Sequence, residues 1–235
     1  MFKNKAARIP ATTRSGDIIS KSDTGSYAYG GSRPHAVTSV TGPVPGTYAY
    51  DADGDMTSRN GYAITWTVDN LPSSIGSALG TSTFNYDPDG SRYYQAATFN
   101  GATTDTTYIG GLFEVVSTST TTEYRHNIMA DGEVIAVHTI DQSGNATTRY
   151  LHYDHLGSVD TITDDQGNVA QTMSFDAFGL RRDAANWDYD LTTAQITALK
   201  NDTDRGYTFQ EQLDNIGLIH MNGRVYDPSI GRFIS

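Results

Sequence analysis

Cysteine is absent from this chain of 235 residues, and its absence excludes several kinds of chemistry. Without cysteine there is no disulfide scaffold, no thiol nucleophile and no zinc site of the cysteine type. Long apolar runs are also missing, since no stretch approaches the roughly 18 apolar residues of a membrane-spanning helix. Residues 1–10 carry basic side chains without the apolar run of a secretory signal, so we predict no signal peptide here.

Positive charge is scarce. The sequence has 16 basic and 27 acidic residues, which gives a formal net charge of −11. Nucleic-acid binding depends on lysine and arginine to neutralise phosphates, and anionic membrane surfaces attract basic segments. We therefore predict neither a nucleic-acid partner nor membrane insertion, while the negative charge itself identifies no partner.

Aliphatic residues are also in short supply, and tyrosine takes up part of their role. Hydrophobic residues make up 37% of the chain, below the roughly 45–50% of an average globular domain. The 15 tyrosines can pack against neighbouring strands while their hydroxyls reach water. This composition indicates sheets with one solvated face, in one large β domain or two small ones.

A repeated turn is the most abundant pattern in the chain. Residues 48–54 and 84–90 share one frame, in which aromatic residues alternate with small or polar ones before Asp-x-x-Gly. Aspartate opening a tight turn can accept backbone N–H groups, and glycine at the fourth position tolerates the closing conformation. The predicted turn residues are Asp51 and Gly54, Asp87 and Gly90, Asp141 and Gly144, Asp154 and Gly157, Asp164 and Gly167, and Asp176 and Gly179. Each unit predicts a β-hairpin, and repeated hairpins typically build walls rather than catalytic clefts.

Other segments refine this all-β prediction. Residues 11–47 contain a degenerate copy of the unit, in which Thr13 replaces the turn-opening aspartate before Gly16. One helix is predicted over about residues 192–200, because Thr192 and Gln195 have the spacing of a capping box. Asp190 and Lys200 suit the two ends of its dipole. A second helical turn is predicted over residues 210–213.

Six motifs follow one another in a fixed order along the chain. They are RPHAV at 33–37, YIGG at 108–111, EYRH at 123–126, YLHYDHLGS at 150–158, FDAFG at 175–179 and GLIHMNGRVYDPSIGRFIS at 217–235. Together with the aspartate turns, this ordered set closely resembles the Rhs/YD-repeat family and in particular its C-terminal associated core segment. The resemblance extends from about Gly16 to the last residue.

The resemblance implies an antiparallel β-strip that spirals into a hollow shell around a variable C-terminal toxin, or that presents an adhesive surface. Residues 1–122 would be YD-type repeats and residues 123–235 the associated core that closes one end of the shell. Independently of the resemblance, about the first 45 residues are expected to be poorly ordered, because a sheet strip without its neighbours has unpaired backbone groups on its terminal strands. The implied partners are the remainder of a shell and a toxin cargo. Self-association through sheet edges is also expected, no cofactor is implied, and the implied location is outside a bacterial cell or on its surface.

Asp227, with Arg224 and Arg232 nearby, is the strongest candidate for a reactive carboxylate. Members of the resembled family detach their toxin by aspartate-dependent self-cleavage, and such a mechanism needs two carboxylates that share a proton. The second Asp-Pro pair of the family would lie beyond Ser235. We therefore favour a structural interpretation, in which Asp227-Pro228 opens a turn and Asp227 pairs with Arg224 or Arg232.

Histidines and acidic loops offer weaker candidates for metal binding. His152 and His155 flank Tyr153-Asp154, but no third clustered ligand supports a metal, so turn and strand-edge roles are favoured. The same interpretation covers His35, His126, His138 and His220. Residues 51–55 resemble a calcium loop, but their glycine is fourth rather than sixth and the twelfth position is Tyr62.

Three functional hypotheses remain open from the sequence. The leading one is a non-catalytic segment of a β-shell, and the second is the core of a self-cleaving aspartyl protease. The third is a carbohydrate or cell-surface binding module. Its candidate stacking residues, which could equally be cross-strand packing pairs, are Trp66, Tyr93, Tyr94 and Trp187.

Overall fold

A computed structural model describes residues 11–13, 15–30, 33–189, 191–199 and 203–235. Seventeen strands form one large, curved and open sheet. Each strand pairs antiparallel with the strand that precedes it in sequence. The strands are β1 (Ala11–Thr12), β2 (Ile18–Lys21), β3 (Gly25–Gly30), β4 (Arg33–Thr41), β5 (Gly46–Tyr50), β6 (Met56–Arg59), β7 (Tyr62–Trp66), β8 (Pro72–Gly76), β9 (Thr81–Tyr86), β10 (Arg92–Phe99), β11 (Ala102–Ile109), β12 (Phe113–Ser117), β13 (Thr122–Ala130), β14 (Glu133–Asp141), β15 (Ala146–Tyr153), β16 (Val159–Thr163) and β17 (Val169–Thr172). The predicted all-β fold is confirmed.

The C-terminal part of the chain forms smaller elements. β18 (Ser174–Phe175) pairs with β19 (Arg181–Arg182), and α1 (Thr193–Leu199) follows. After a short 3-10 turn at Tyr207–Phe209 comes a four-stranded antiparallel sheet, here called the C-terminal sheet. Its strands are β20 (Glu211–Leu213), β21 (Leu218–Met221), β22 (Arg224–Asp227) and β23 (Arg232–Phe233).

The aspartate turns are built from side-chain hydrogen bonds to the backbone. Asp87 Oδ1 accepts the N–H groups of Asp89 at 3.0 Å and Ser91 at 2.8 Å, while Gly90 has a φ of +78°. The same side-chain pattern occurs at Asp51, Asp141, Asp154, Asp164 and Asp176. The glycines at the fourth positions of these turns also have positive φ: Gly54, Gly144, Gly157, Gly167 and Gly179.

Two degenerate copies of the turn use threonine in place of aspartate. Thr13 Oγ1 accepts a hydrogen bond from the N–H of Asp17 at 3.0 Å, so Thr13 takes the place of the turn-opening aspartate as the sequence pattern predicted. Thr67 makes an equivalent turn that the repeated Asp-x-x-Gly pattern does not predict: its Oγ1 accepts from Leu71 N at 3.2 Å, and Asn70 has a φ of 57°. Threonine supplies one acceptor oxygen and asparagine tolerates the left-handed conformation, so neither substitution destroys the turn.

Several tyrosine hydroxyls donate hydrogen bonds to backbone carbonyls of the preceding strand. From the sequence alone, these hydroxyls are expected to reach water. Tyr50 donates to Val37 O at 3.0 Å, and Tyr86 donates to Pro72 O at 2.9 Å. Burial of the phenol raises the pKa of Tyr50 to about 12, because its ionised form would lose hydration. These bonds tie each hairpin to the one before it.

The helix and the turn after it only partly follow the sequence prediction. The capping box is present, since Thr192 Oγ1 accepts from Gln195 N at 3.2 Å and Gln195 Oε1 accepts from Thr192 N at 2.9 Å. Asp190 and Lys200 lie outside the described residues. The helical turn predicted over residues 210–213 is wrong: the 3-10 turn comes earlier, and residues 211–213 form β20, paired with β21.

The C-terminal sheet packs against one face of the large sheet, here called the inner face. The shared hydrophobic core comprises Ile18, Tyr27, Val37, Val40, Tyr48, Met56, Ile64, Ile75 and Phe84 from the large sheet, and Leu213, Ile216, Leu218, Val225, Ile230 and Ile234 from the C-terminal segment. Residues 1–10 lie outside the described part of the chain, and strand pairing continues from β12 to β13 across residue 122. The predicted domain division and the poorly ordered N-terminal region stay predictions.

Candidate functional site between the two sheets

A buried polar network joins β10 of the large sheet to β20 of the C-terminal sheet. The Arg92 guanidinium donates to Glu211 and to Gln95 Oε1, the latter at 2.7 Å, and Tyr108 Oη donates to Glu211 Oε1 at 2.8 Å. Glu211 is only 2% exposed. Burial alone would raise the pKa of Glu211, but Arg92 and Arg205 outweigh it and lower that pKa to about 2. Glu211 is therefore held as a carboxylate inside the protein.

The network continues toward β12 and β13 of the large sheet. Arg205 Nη2 lies 3.4 Å from Glu114 Oε1, and Arg125 Nη2 lies 2.8 Å from Glu123 Oε2. Burial raises the pKa of Glu114, and the positive charge of Arg205 opposes that change. Arg125 and Glu123 both lie on β13, whereas the Arg205–Glu114 pair joins the segment before β20 to the large sheet. Because a buried charge is costly unless it is paired, the second pair favours this docking position.

His220 on β21 faces the same network. It is 3% exposed, its ring lies 5.5 Å from that of Phe84, and its Nε2 has no hydrogen-bond partner. Burial, with Arg92 nearby, lowers the pKa of His220 to about 3. The imidazole is consequently neutral at pH 7, and it adds no third positive charge beside Glu211.

A second polar contact is centred on Asp227, the candidate reactive carboxylate. Asp227 is fully buried, and its Oδ2 accepts from Arg59 Nε on β6 at 2.7 Å. The predicted pairing of Asp227 with Arg224 or Arg232 is wrong. The Arg224 guanidinium lies 3.8 Å from the centre of the Phe233 ring, and Arg232 Nη2 donates to Asp17 Oδ1. Asp227 lies on the strand face that contacts the large sheet, so its partner comes from a distant part of the sequence.

Arg232 joins the C-terminal sheet to the start of the large sheet. Its Nη2 donates to Asp17 Oδ1 at 2.9 Å and to Tyr29 Oη at 3.1 Å, while His35 Nδ1 lies 3.0 Å from Asp17 Oδ2. Burial would raise the pKa of Asp17, but hydrogen bonds with Arg232, His35 and Ser15 lower it overall. This contact makes the degenerate Thr13 turn part of the docking surface.

Asn215 makes a further specific contact of this site. Its side-chain amide donates to Thr81 O at 3.3 Å, to Thr98 O at 3.1 Å and to Ser82 Oγ at 2.9 Å. Nothing in the sequence marked this asparagine, because it lies in a turn outside the repeated frame. It satisfies backbone carbonyls of two strands that would otherwise be buried beneath the C-terminal sheet.

The other sequence candidates hold structural positions. His152 Nε2 lies 3.0 Å from Thr163 Oγ1, and Asp51 Oδ1 accepts three backbone N–H groups of its own turn. Trp66 Nε1 donates to Met56 O at 2.8 Å. In the part of the chain that the structure describes, no group of three or more histidines or carboxylates is arranged to hold a metal ion. Nor is any described helix long and apolar enough to cross a membrane.

Several known proteins are similar to this chain in sequence. No protein-family model matches the chain. The tRNA3(Ser)-specific nuclease WapA of Bacillus spizizenii is 27% identical over 199 residues, which are 80% of this chain and 8% of that protein. The double-stranded DNA deaminase toxin A of Burkholderia cenocepacia is 30% identical over 104 residues, which are 44% of this chain and 7% of that protein. The chain thus spans less than a tenth of each of these relatives.

Solved structures of Tc toxins have the same fold. TcdB2–TccC3 without its hypervariable C-terminal region has a TM-score of 0.59 at 16% identity, over 97% of this chain and 15% of that one. A mutant Tc holotoxin pore of Photorhabdus luminescens has a TM-score of 0.62 at 17% identity, over 89% of this chain and 12% of that one. The sequence relatives and the shared fold together support an Rhs-type family for this chain, without distinguishing its associated core from other segments.

Proposed function

We propose that this chain is a non-catalytic structural segment of an Rhs-type β-shell, which encloses or presents a toxin joined on its C-terminal side. The observation that carries the proposal is the docking of the C-terminal sheet against the inner face. Ile234 is 1% exposed, and its carbonyl accepts the N–H of Met56 on β6 at 2.8 Å. A cargo that follows this backbone would start from the inner face of the wall.

The names of the relatives are consistent with a shell around different toxins. One relative is a tRNA nuclease and another is a DNA deaminase toxin, yet both align with this chain over only a small part of their length. The net charge of −11 does not suit a nucleic-acid-binding surface. We infer that the nuclease and deaminase activities belong to other parts of those proteins, and that the shared segment is the wall.

A protease-accessibility experiment tests this proposal. A cargo domain is joined after Ser235 through a specific protease site, and a second version carries the same site in the exposed turn at Ser119–Thr120. We expect slow cleavage after Ser235 in the native chain and faster cleavage in Asp227→Asn, which loosens the docking. The site at Ser119–Thr120 should be cut at one rate in both. Equal rates at the two positions of the native chain would contradict the proposal.

A self-cleaving protease core is the main rival. Both oxygens of Asp227 are already engaged, because Oδ2 accepts from Arg59 at 2.7 Å and Oδ1 accepts from Ser229 N at 2.9 Å. We therefore expect no size change on a gel for the native chain. If a downstream Asp-Pro segment is added and cleavage appears, Asp227→Asn is compared with Arg59→Met, which removes the same ion pair but keeps the carboxylate. Loss of cleavage in Asp227→Asn alone would favour the protease hypothesis.

A further inference from the structure

A pair of histidines lies on the outer face of the large sheet, opposite the face that holds the C-terminal sheet. His126 on β13 and His138 on β14 are direct cross-strand partners. Their neighbours Arg125 and Val137 are buried on the inner side, so the alternation of strand side chains directs both histidines outward. Directly opposed residues of antiparallel strands have Cβ atoms about 4.5–5.5 Å apart, which lets two imidazoles reach one ion.

A β-bulge creates this pairing. The turn of the β13–β14 hairpin pairs Ala130 with Glu133, and that register would place Val137 opposite His126. A shift between Ile128 and Met129 moves the partner by one residue, so that His126 faces His138 instead. Bulges commonly redirect side chains at functional positions, and this one brings together two side chains of a type that binds transition metals.

The surroundings of each ring favour metal binding. His138 Nδ1 lies 2.9 Å from Thr148 Oγ1 on β15, and when Nδ1 donates that bond, the Nε2 lone pair is free for an ion. Metal-binding histidines usually carry such a second hydrogen bond, which fixes the ring and its tautomer. The His126 ring packs edge-on against Phe113 at 4.5 Å, on the side away from β14. Each ring thus has a contact on the side away from the other, with β12 or with β15, and His126 is exposed while His138 is half-buried.

We propose that His126 and His138 form a two-histidine site for a divalent transition metal, with water completing the coordination. Imidazole suits Cu²⁺, Ni²⁺ and Zn²⁺, and the order of stability makes Cu²⁺ the tightest of the three. The backbone register fixes the spacing of the two ligands, and side-chain rotation brings the two imidazoles to one ion. The site is separate from the docking of the C-terminal sheet and does not depend on the shell proposal.

The test uses the full chain without a polyhistidine tag, titrated with CuSO₄ and then ZnSO₄ in a calorimeter. We expect one Cu²⁺ site in the native chain, lost in His126→Gln and in His138→Gln. Thr148→Val should weaken binding about tenfold, because the ring of His138 loses its second hydrogen bond. Circular dichroism checks that each variant is folded, which is expected because these side chains lie on the outer face.

His152→Gln is the matched control. His152 is exposed and bonds to a threonine as His138 does, but its cross-strand partner is Thr161 rather than a histidine. Binding should therefore be unchanged in this variant. The proposal is overturned if the native chain binds no Cu²⁺ at millimolar metal, if either His126→Gln or His138→Gln binds like the native chain, or if His152→Gln loses the same site.

Discussion

One carboxylate oxygen organises each repeated turn. It accepts the N–H groups of residues two and four positions later, which the bend has removed from the strand ladder. Such local side-chain bonds let a turn form without any distant contact. This explains why the frame survives with threonine at Thr13 and Thr67, which supply a single acceptor in the same place.

Asp87→Ala tests the turn at the level of one residue. The change leaves the N–H groups of Asp89 and Ser91 without their acceptor, and we expect a loss of about 1 kcal/mol in the free energy of unfolding. Asp89→Ala removes the same charge from the same turn, but that side chain accepts neither bond. Urea denaturation of the two variants should therefore separate them; equal losses would attribute the effect to charge rather than to the turn.

Burial of His220 is expected to make the stability of the folded protein depend on pH. The unfolded imidazole takes up a proton near its ordinary pKa of 6.5, whereas the folded one resists protonation down to about 3. Protons therefore favour the unfolded state, and stability falls as pH drops through this window. The slope approaches about 1.4 kcal/mol per pH unit for one group. Glu211, ordinarily near 4.5 and lowered to about 2, adds to the loss between those values.

Urea midpoints at pH 7.5, 6.0 and 5.0 measure the histidine contribution, because Glu211 stays ionised in both states over most of that range. His220→Phe removes the titrating group and should flatten the dependence. A native slope that His220→Phe does not change would show that other groups carry the effect.

At the scale of the elements, β6 and β22 are connected by the ion pair Arg59–Asp227, whose two residues lie 168 positions apart in the sequence. Asp227→Asn leaves the partly buried Arg59 guanidinium without its counter-charge, and removal of one partner of a buried pair costs about 3–5 kcal/mol. We expect hydrogen exchange to rise first in residues 211–234. Arg224→Met, on the exposed side of the same strand, should cost less than about 1 kcal/mol.

A double variant separates the charge from the packing. Arg59→Met combined with Asp227→Leu replaces the buried pair by apolar side chains, and it should recover part of the stability lost in Asp227→Asn. No recovery would indicate that the hydrogen bonds of Asp227 to its own turn matter more than the pair itself.

Local patterns predicted the hairpins of this chain well, because each depends on a few adjacent residues. The aspartate turns and the capping box at Thr192 follow directly from short motifs. The docking contacts could not be predicted in the same way. Asp227 has two arginines near it in sequence, yet its partner is Arg59, and the choice depends on which face of β22 contacts the large sheet. Likewise, the bulge in the β13–β14 hairpin has no sequence signal that we identified.

In the whole molecule, the large sheet ends at strands that pair on one side only among the described residues. β17 pairs with β16, and its first residue, Val169, is 62% exposed. A strand that pairs on one side only can accept another strand, in a shell or in a second copy. We therefore expect association that increases with protein concentration, measured by light scattering, and weaker association in Val169→Lys. A strict monomer at high concentration would contradict this prediction.

Strand order has a consequence for synthesis. Because every strand of the large sheet pairs with the one made just before it, the wall can assemble progressively as the chain leaves the ribosome. The C-terminal sheet is different, since its partners Asp17, Arg59 and Arg92 were made long before it. Until residues 203–235 have been synthesised, the large sheet would therefore expose the apolar side chains that the C-terminal sheet later covers. We expect chaperones to bind this exposed surface.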